Sequence, residues 1–256
     1  MIASQIRANA RENLIGKWGK AALMTLSYCI IVFVINFLCR IIPVFGPIIL
    51  FVISTPISYG LLVSFIKLKR NEDVEYTDFL NNGFSNFGKV WGVVGNIILK
   101  MILPICLIII FAIIMVVGFS GTIVGLTYGS MSYKVSTAMA SGFSFFGFVG
   151  FLGYFASIIY TIVKGYLYSL SFYVLNDNTD MTGKEIVEES ARLMKGNRWR
   201  LFWLMFSFIG WAFLSAFTLG IGLLWLVPYM MIATVCFYEE LAKKDNEPAV
   251  ETKVEE

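Results

Sequence analysis

Histidine is missing from this 256-residue chain, charged residues make up only 14% of it, and proline occurs six times. The lack of histidine removes the commonest general base and metal ligand. The shortage of charge excludes an ordinary soluble domain, whose surface needs far more, while hydrophobic residues reach 58%. Cys29, Cys39, Cys106 and Cys236 form no CxxC pair and lie in or at the edge of apolar runs. Small apolar packing residues fit that placement better than a zinc site or a disulfide framework. No acid lies within an apolar run, which weakens ion-coupled transport, although unwound backbone carbonyls can coordinate sodium without a carboxylate. Intramembrane metalloproteases and aspartyl proteases lack their ligands or carboxylates here. A dyad of Ser169 or Ser171 with Lys164 can be written down, but no motif supports it. No cofactor is expected.

What the chain does have is six long apolar runs, at about 21–39, 48–68, 90–118, 145–175, 199–217 and 222–238. A helix needs about 20 apolar residues to cross a hydrocarbon core of about 30 Å. The expected fold is therefore all-α, a polytopic transmembrane helical bundle with six spans. It forms one membrane domain over residues 1–241, followed by a flexible acidic tail at 242–256. Arg7, Arg11, Lys17 and Lys20 precede the first run, which is longer than a signal-peptide core and lacks a cleavage site, so it reads as an uncleaved span.

Sixteen of the twenty bases fall in alternate connections or in the two ends of the chain; only Arg40 and Lys134 lie in the opposite ones. By the positive-inside rule both termini are cytoplasmic. The formal net charge is +3, and because the bases flank spans they need no nucleic-acid partner. Anionic headgroups of the cytoplasmic leaflet are the expected contacts, with a membrane-protein partner as a further possibility.

Each odd-numbered span is entered from an amphipathic stretch through a base and a tryptophan: ARENLIGKWGKA, GFSNFGKVWG and ARLMKGNRWRLF. Arg11 to Trp18 and Arg192 to Trp199 are equally spaced. Trp18, Trp91 and Trp199 are expected at the inner headgroup level, with Arg198 and Arg200 reaching phosphates. Even spans end alike as well, in SFIKLKRNED, SFYVLNDNTD and CFYEELAKKD. Two accounts fit: three copies of one unit, each a cytoplasmic amphipathic helix and a helical hairpin, or a likeness imposed by shared topology.

Before the fifth span, Thr182 and Glu185 predict a capping box, Ile186, Val187 and Met194 an apolar stripe, Glu188 and Arg192 a pair, and Gly196 the helix end. Ile2, Ile6, Ala10 and Leu14 predict a similar N-terminal helix lying on the membrane or the bundle. Pro104 is a natural kink site in the third span. In the fourth, Gly147, Gly150, Gly153 and Ser157 predict a face for close helix packing. The connection at 121–142, with Tyr128, Tyr133 and Lys134, reads as a flexible outer loop.

The run ESARLMKGNRWRLFWLMFSFIGWAFLSAFTLGIGLLWLVPYMMIATVCFYEEL, together with ARENLIGKWGKAALMTL, resembles the bacterial integral membrane proteins of domain-of-unknown-function family 975. Its most specific parts are Gly196 to Phe202 and the stretch containing Thr218, Gly220, Gly222, Trp225, Pro228 and Tyr229. The resemblance implies a multi-span cytoplasmic-membrane protein and brings no catalytic residue with it.

Lys100 and Lys164 lie inside spans, where a charge costs roughly 2.5–3.5 kcal/mol on insertion scales. Either both snorkel to the inner surface, or both line an inner-leaflet cavity with Asn96 and hold an anionic headgroup or substrate. The expected function is a non-enzymatic protein of the bacterial cytoplasmic membrane, acting through lipid contacts or as a scaffold for partner proteins. The alternative is a permease or exporter for a lipid, peptide or small amphiphile, with the two lysines on its path.

Overall fold

The computed structural model describes residues 2–43, 45–127 and 133–246. Helices α1 (Ala3–Leu14), α2 (Trp18–Cys39) and α3 (Gly46–Lys69) are followed by α4 (Asp78–Ser85), α5 (Phe87–Thr127) and α6 (Tyr133–Tyr168). After these come α7 (Ser171–Asp177), α8 (Gly183–Met194), α9 (Arg198–Phe206), α10 (Ile209–Phe217) and α11 (Leu223–Asn246). Six segments are long and apolar enough to cross a membrane. The chain is an all-α, multi-pass membrane protein, and each of its three long hairpins is introduced by a short helix: α1, α4 or α8. Packing is organised in two compact units, Met1–Gly95 with Tyr168–Glu256, and Asn96–Leu167.

In the first unit, α3 and α4 meet backbone to backbone. A Cβ at Gly60 would fall on the Phe79 carbonyl, and one at Gly83 on the Pro56 carbonyl, so neither position has room for a side chain. The predicted apolar stripes are core contacts. Ile6, Ala10 and Leu14 of α1 are buried, as are Ile186, Val187, Ser190 and Met194 of α8, whereas Ile2 is exposed. The capping box of α8 forms as expected: the Thr182 hydroxyl accepts from the Glu185 amide and the Glu185 carboxylate accepts from the Thr182 amide. Arg192 pairs with Glu189 at 2.6 Å.

The first and third short helices end in the same turn. Ile15 (φ −57°, ψ 128°) and Lys195 (φ −64°, ψ 118°) are each followed by a glycine at positive φ, Gly16 at 75° and Gly196 at 83°. The Lys17 amide donates to the Leu14 carbonyl at 2.9 Å and the Asn197 amide to that of Met194 at 3.1 Å. This is a type II turn, whose third residue favours glycine because other side chains clash there. The shared turn sets Ile6 against Ile186, Ala10 against Ser190, Leu14 against Met194 and Lys20 against Arg200 at one constant offset. Trp18 then corresponds to Arg198, one residue away from the register that the equal Arg-to-Trp spacings indicate. Between α4 and α5 the link is Asn86, without the glycine turn.

Three spans differ from expectation. The fifth is broken at Ser207 and Phe208, where the ladder tightens: the Phe208 amide bonds to Met205 and the Ser207 hydroxyl to the Leu204 carbonyl. The break turns Phe208 into the core against the Tyr229 ring, 5.0 Å away. The fourth breaks after Tyr168, and the sixth runs on to Asn246, through the start of the expected tail. Residues 247–256 lie outside the described ones.

The second unit consists of the main lengths of α5 and α6. At 41 and 36 residues, these helices run for about 62 and 54 Å if straight, well beyond the hydrocarbon core. Helix α5 continues through Pro104. Gly118 and Gly150 lie on the backbone of the other helix, at Gly147 and Met115, and Gly153 lies on the Phe111 ring, so the small-residue face is the helix contact. Ser157 is buried and bonds to the Gly153 carbonyl. The expected loop at 121–142 is helical where described. Near its start the Thr122 hydroxyl bonds to the Gly118 carbonyl at 2.9 Å and lies 3.2 Å from the Ser144 hydroxyl. Gly121, whose Cβ would meet the Phe143 ring, and Thr122 lie in the contact between the two helices. Tyr128 and the side chains of Tyr133 and Lys134 lie outside the described residues.

Candidate functional site

The residues singled out by the sequence fall into three settings. Asn96, Lys100 and Lys164 are half-buried in the Asn96–Leu167 unit, with the Lys164 Nζ 5.6 Å from the centre of the Tyr160 ring. The pairing of Gly118 with Gly147 and Gly150 with Met115, continued along the hairpin, sets Lys100 level with Lys164. The two lysines therefore share a depth along the hairpin.

Arg200 is in an ion cluster. Its guanidinium donates to both oxygens of buried Glu240, at 2.8 and 2.9 Å, and stands 5.5 Å from the Phe237 ring centre. Lys244 approaches the same carboxylate at 3.2 Å. Around it, Lys69 binds Glu239, Arg70 binds Asp177 at 2.9 Å, and Lys20 binds Asp73 at 3.1 Å. Lys17 donates to the Leu68 carbonyl and Asn71, and Lys89 to the Thr179 carbonyl. Burial pulls the Arg70 pKa down, but its hydrogen bond to Asp177 and the nearby charges of Asp177, Glu239 and Glu72 outweigh it and hold it above the usual value. The hydrogen bond and charge of Lys20 hold the Asp73 carboxyl below the usual range. Many bases that look free in the sequence are thus fasteners between helix ends.

The tryptophans differ among themselves. Trp199 is exposed, as an interface anchor would be. Trp91 is wedged against Phe51 and Phe87, at 5.4 and 6.5 Å, and its indole N–H is buried without an acceptor among the described residues. The Arg198 Nε is in the same state. Trp18 stands edge-on to Tyr229 at 6.1 Å and forms part of a larger feature.

That feature is a cleft of about 560 Å³ within the first unit, bounded by α1, the start of α2, α10 and the first half of α11. Helix α1 presents Ser4, Arg7 and Arg11 to it at helical spacing. The opposite walls are Trp211, Leu214, Trp225, Leu226 and Tyr229, with Ser215, Thr218 and Gly222 between them. Two local contacts hold these walls. The Tyr229 hydroxyl donates to the Arg7 carbonyl at 3.2 Å, tying α11 to α1. Gly222 lets α10 and α11 close, because a Cβ there would stand 2.7 Å from the Ser215 hydroxyl. Thr218 caps the turn, accepting from the Gly222 amide at 2.9 Å.

Size, an aromatic wall and a few convergent polar groups are the marks of a small-molecule site. The Arg7 Nε is buried without an acceptor, and neither Arg7 nor Arg11 is paired with a carboxylate among the described residues. No cluster of three or more metal-ligating side chains occurs among the described residues. The arrangement suits an amphiphile: cations at one side, indole faces and leucines at the other. In the sequence Arg7 and Arg11 count only among the bases that precede the first span. The missed signal was their four-residue spacing on one face of α1, alongside Ser4.

Fold and cleft together define a multi-pass helical membrane protein with an aromatic, cationic cleft beside its first short helix. The chain belongs to the family described as proteins of unknown function, DUF975, whose model matches residues 1–245. No curated protein and no solved structure matches it. The stretch carrying the family resemblance, with Thr218, Gly222, Trp225 and Tyr229, is also the one that walls the cleft.

Proposed function

We propose that this is a non-enzymatic protein of the bacterial cytoplasmic membrane, with both termini cytoplasmic, that acts through lipid contacts and takes an amphiphile into the cleft beside α1. The observation that carries this reading is the cleft itself, walled by indole rings and by two arginines without acidic partners. The orientation is supported by the sorting of bases along the sequence. A permease path along α5 and α6 is the alternative, favoured by the shared depth of Lys100 and Lys164. A scaffold for other membrane proteins is a third role that exposed apolar helices would serve.

Intact mass measurement of the full chain released from its own membrane separates these roles. The cleft reading expects a retained amphiphile that is lost in Ser4→Trp, whose indole would fill the cleft from the exposed side of α1, and kept in Lys100→Met with Lys164→Met. The permease reading expects the reverse. Recovery of a second protein with no retained amphiphile would favour the scaffold and contradict the cleft.

A further inference from the structure

The cleft's two arginines are not part of the pattern that α1 shares with α8. The shared turn places α1 and α8 in equivalent roles, with Ile6, Ala10 and Leu14 matched by Ile186, Ser190 and Met194 on the buried face. In that register Arg7 is matched by Val187 and Arg11 by Ala191. Helix α8 therefore makes its turn and its packing with no cation at either position. Elsewhere in the same unit, Lys69 and Arg200 are half-buried and matched with the carboxylates of Glu239 and Glu240, and Lys17 and Lys67 with carbonyl and amide oxygens. Arg7 is half-buried with its Nε unpaired among the described residues, a costly state for a guanidinium beside an apolar wall, and Arg11 stands exposed one turn on, where an anion on Arg7 could reach it.

We infer that the cleft seats an anionic lipid, its phosphate held between Arg7 and Arg11 and its chain lying along Trp211, Leu214 and Trp225. This rests on the cleft reading above and adds the charge of the headgroup to it. Guanidinium groups four residues apart on a helix lie on one face and converge on a single phosphate, to which each can donate two parallel hydrogen bonds. Ser4, one turn before Arg7, adds a hydroxyl at the same face. The indole and leucine wall favours a ligand with a chain over a free anion.

The test is competition on the full chain in neutral detergent. Equimolar phosphatidylglycerol and phosphatidylcholine of the same chain length are added, and bound lipid is read by intact mass measurement. The expected result is preferential retention of phosphatidylglycerol, reduced about tenfold or more in Arg7→Gln with Arg11→Gln, with phosphatidylcholine retention unchanged. Ile6, Ala10 and Leu14 are untouched in that variant, and size-exclusion and circular dichroism profiles matching wild type check its folding. Arg7→Lys with Arg11→Lys should fall between the two, since it keeps charge but loses the paired donors. Equal retention of both lipids, indifferent to the arginines, overturns the charge inference and leaves the amphiphile reading standing. Retention of neither lipid overturns both. Displacement of phosphatidylglycerol by millimolar glycerophosphate would assign the seat to a water-borne anion and overturn the lipid.

Discussion

The hairpin of Asn96–Leu167 and the remainder of the chain solve the same problem differently. In the most apolar stretches of α3 and α11 half of the residues are buried, whereas in the most apolar stretch of α5 only 11% are. The larger unit is fastened by ion pairs at helix ends, by ring contacts such as Tyr173 with Tyr238, and by backbone-to-backbone contact of α3 with α4. The hairpin is held by a line of glycines, and leaves a surface of isoleucine, phenylalanine and leucine whose natural solvent is lipid. The polar machinery is concentrated in the larger unit, and that is where a ligand of mixed character finds both its apolar wall and its cations.

The comparison can be broken most severely at Gly60. Gly60→Ala puts a methyl on the Phe79 carbonyl, between two backbones that other elements hold in place, and should cost about 3 kcal/mol, read as a lowered unfolding midpoint. Glu240→Gln should cost about 2 kcal/mol, since it leaves Arg200 and Lys244 without their shared carboxylate while part of Arg200 still meets solvent. Gly150→Ala meets the Met115 backbone, but two helices held only by each other can shift apart. Its cost should be nearer 1.5 kcal/mol and confined to residues 96–167, seen as faster hydrogen exchange there with the larger unit unchanged. Thr182→Ala removes the cap of α8 and should cost about 1 kcal/mol.

The same cap carries a pH dependence. The Thr182 amide and hydroxyl hold the Glu185 carboxyl below the usual range. A carboxyl whose folded pKa lies below its unfolded one contributes stability that is fully present above the unfolded pKa and lost as pH falls through the folded one. Acid titration of stability should show this loss in wild type, and Glu185→Gln should lack that component.

Much of the fold was legible. Length and apolarity located the spans, since the bilayer sets a minimum run, and the capping box and stripe of α8 followed from local spacing. The glycines at 147, 150 and 153 announced close packing because a missing side chain is itself a spatial statement. What was not legible depended on which helices meet. The break at Ser207 and Phe208 comes from the pull of a core that holds Tyr229, and no local residue demands it. The segment at 121–142 carries loop-like composition, yet it is helical where described, and Gly121 and Thr122 lie in a helix contact. Arg200 looked like a phosphate contact because Glu240, its partner, is forty residues away in sequence. The cleft was hidden for the same reason: Arg7 and Trp225 are neighbours only after the last hairpin folds back against the first short helix.

The most direct measurement is an experimental map of the full chain in a lipid nanodisc containing phosphatidylglycerol. The account predicts a headgroup between Arg7 and Arg11 with an acyl chain along Trp211 and Trp225, between α1 and α10. A map in which α1 closes onto α10 and no lipid enters, or in which the ordered lipid sits instead at Lys100 and Lys164, would contradict it.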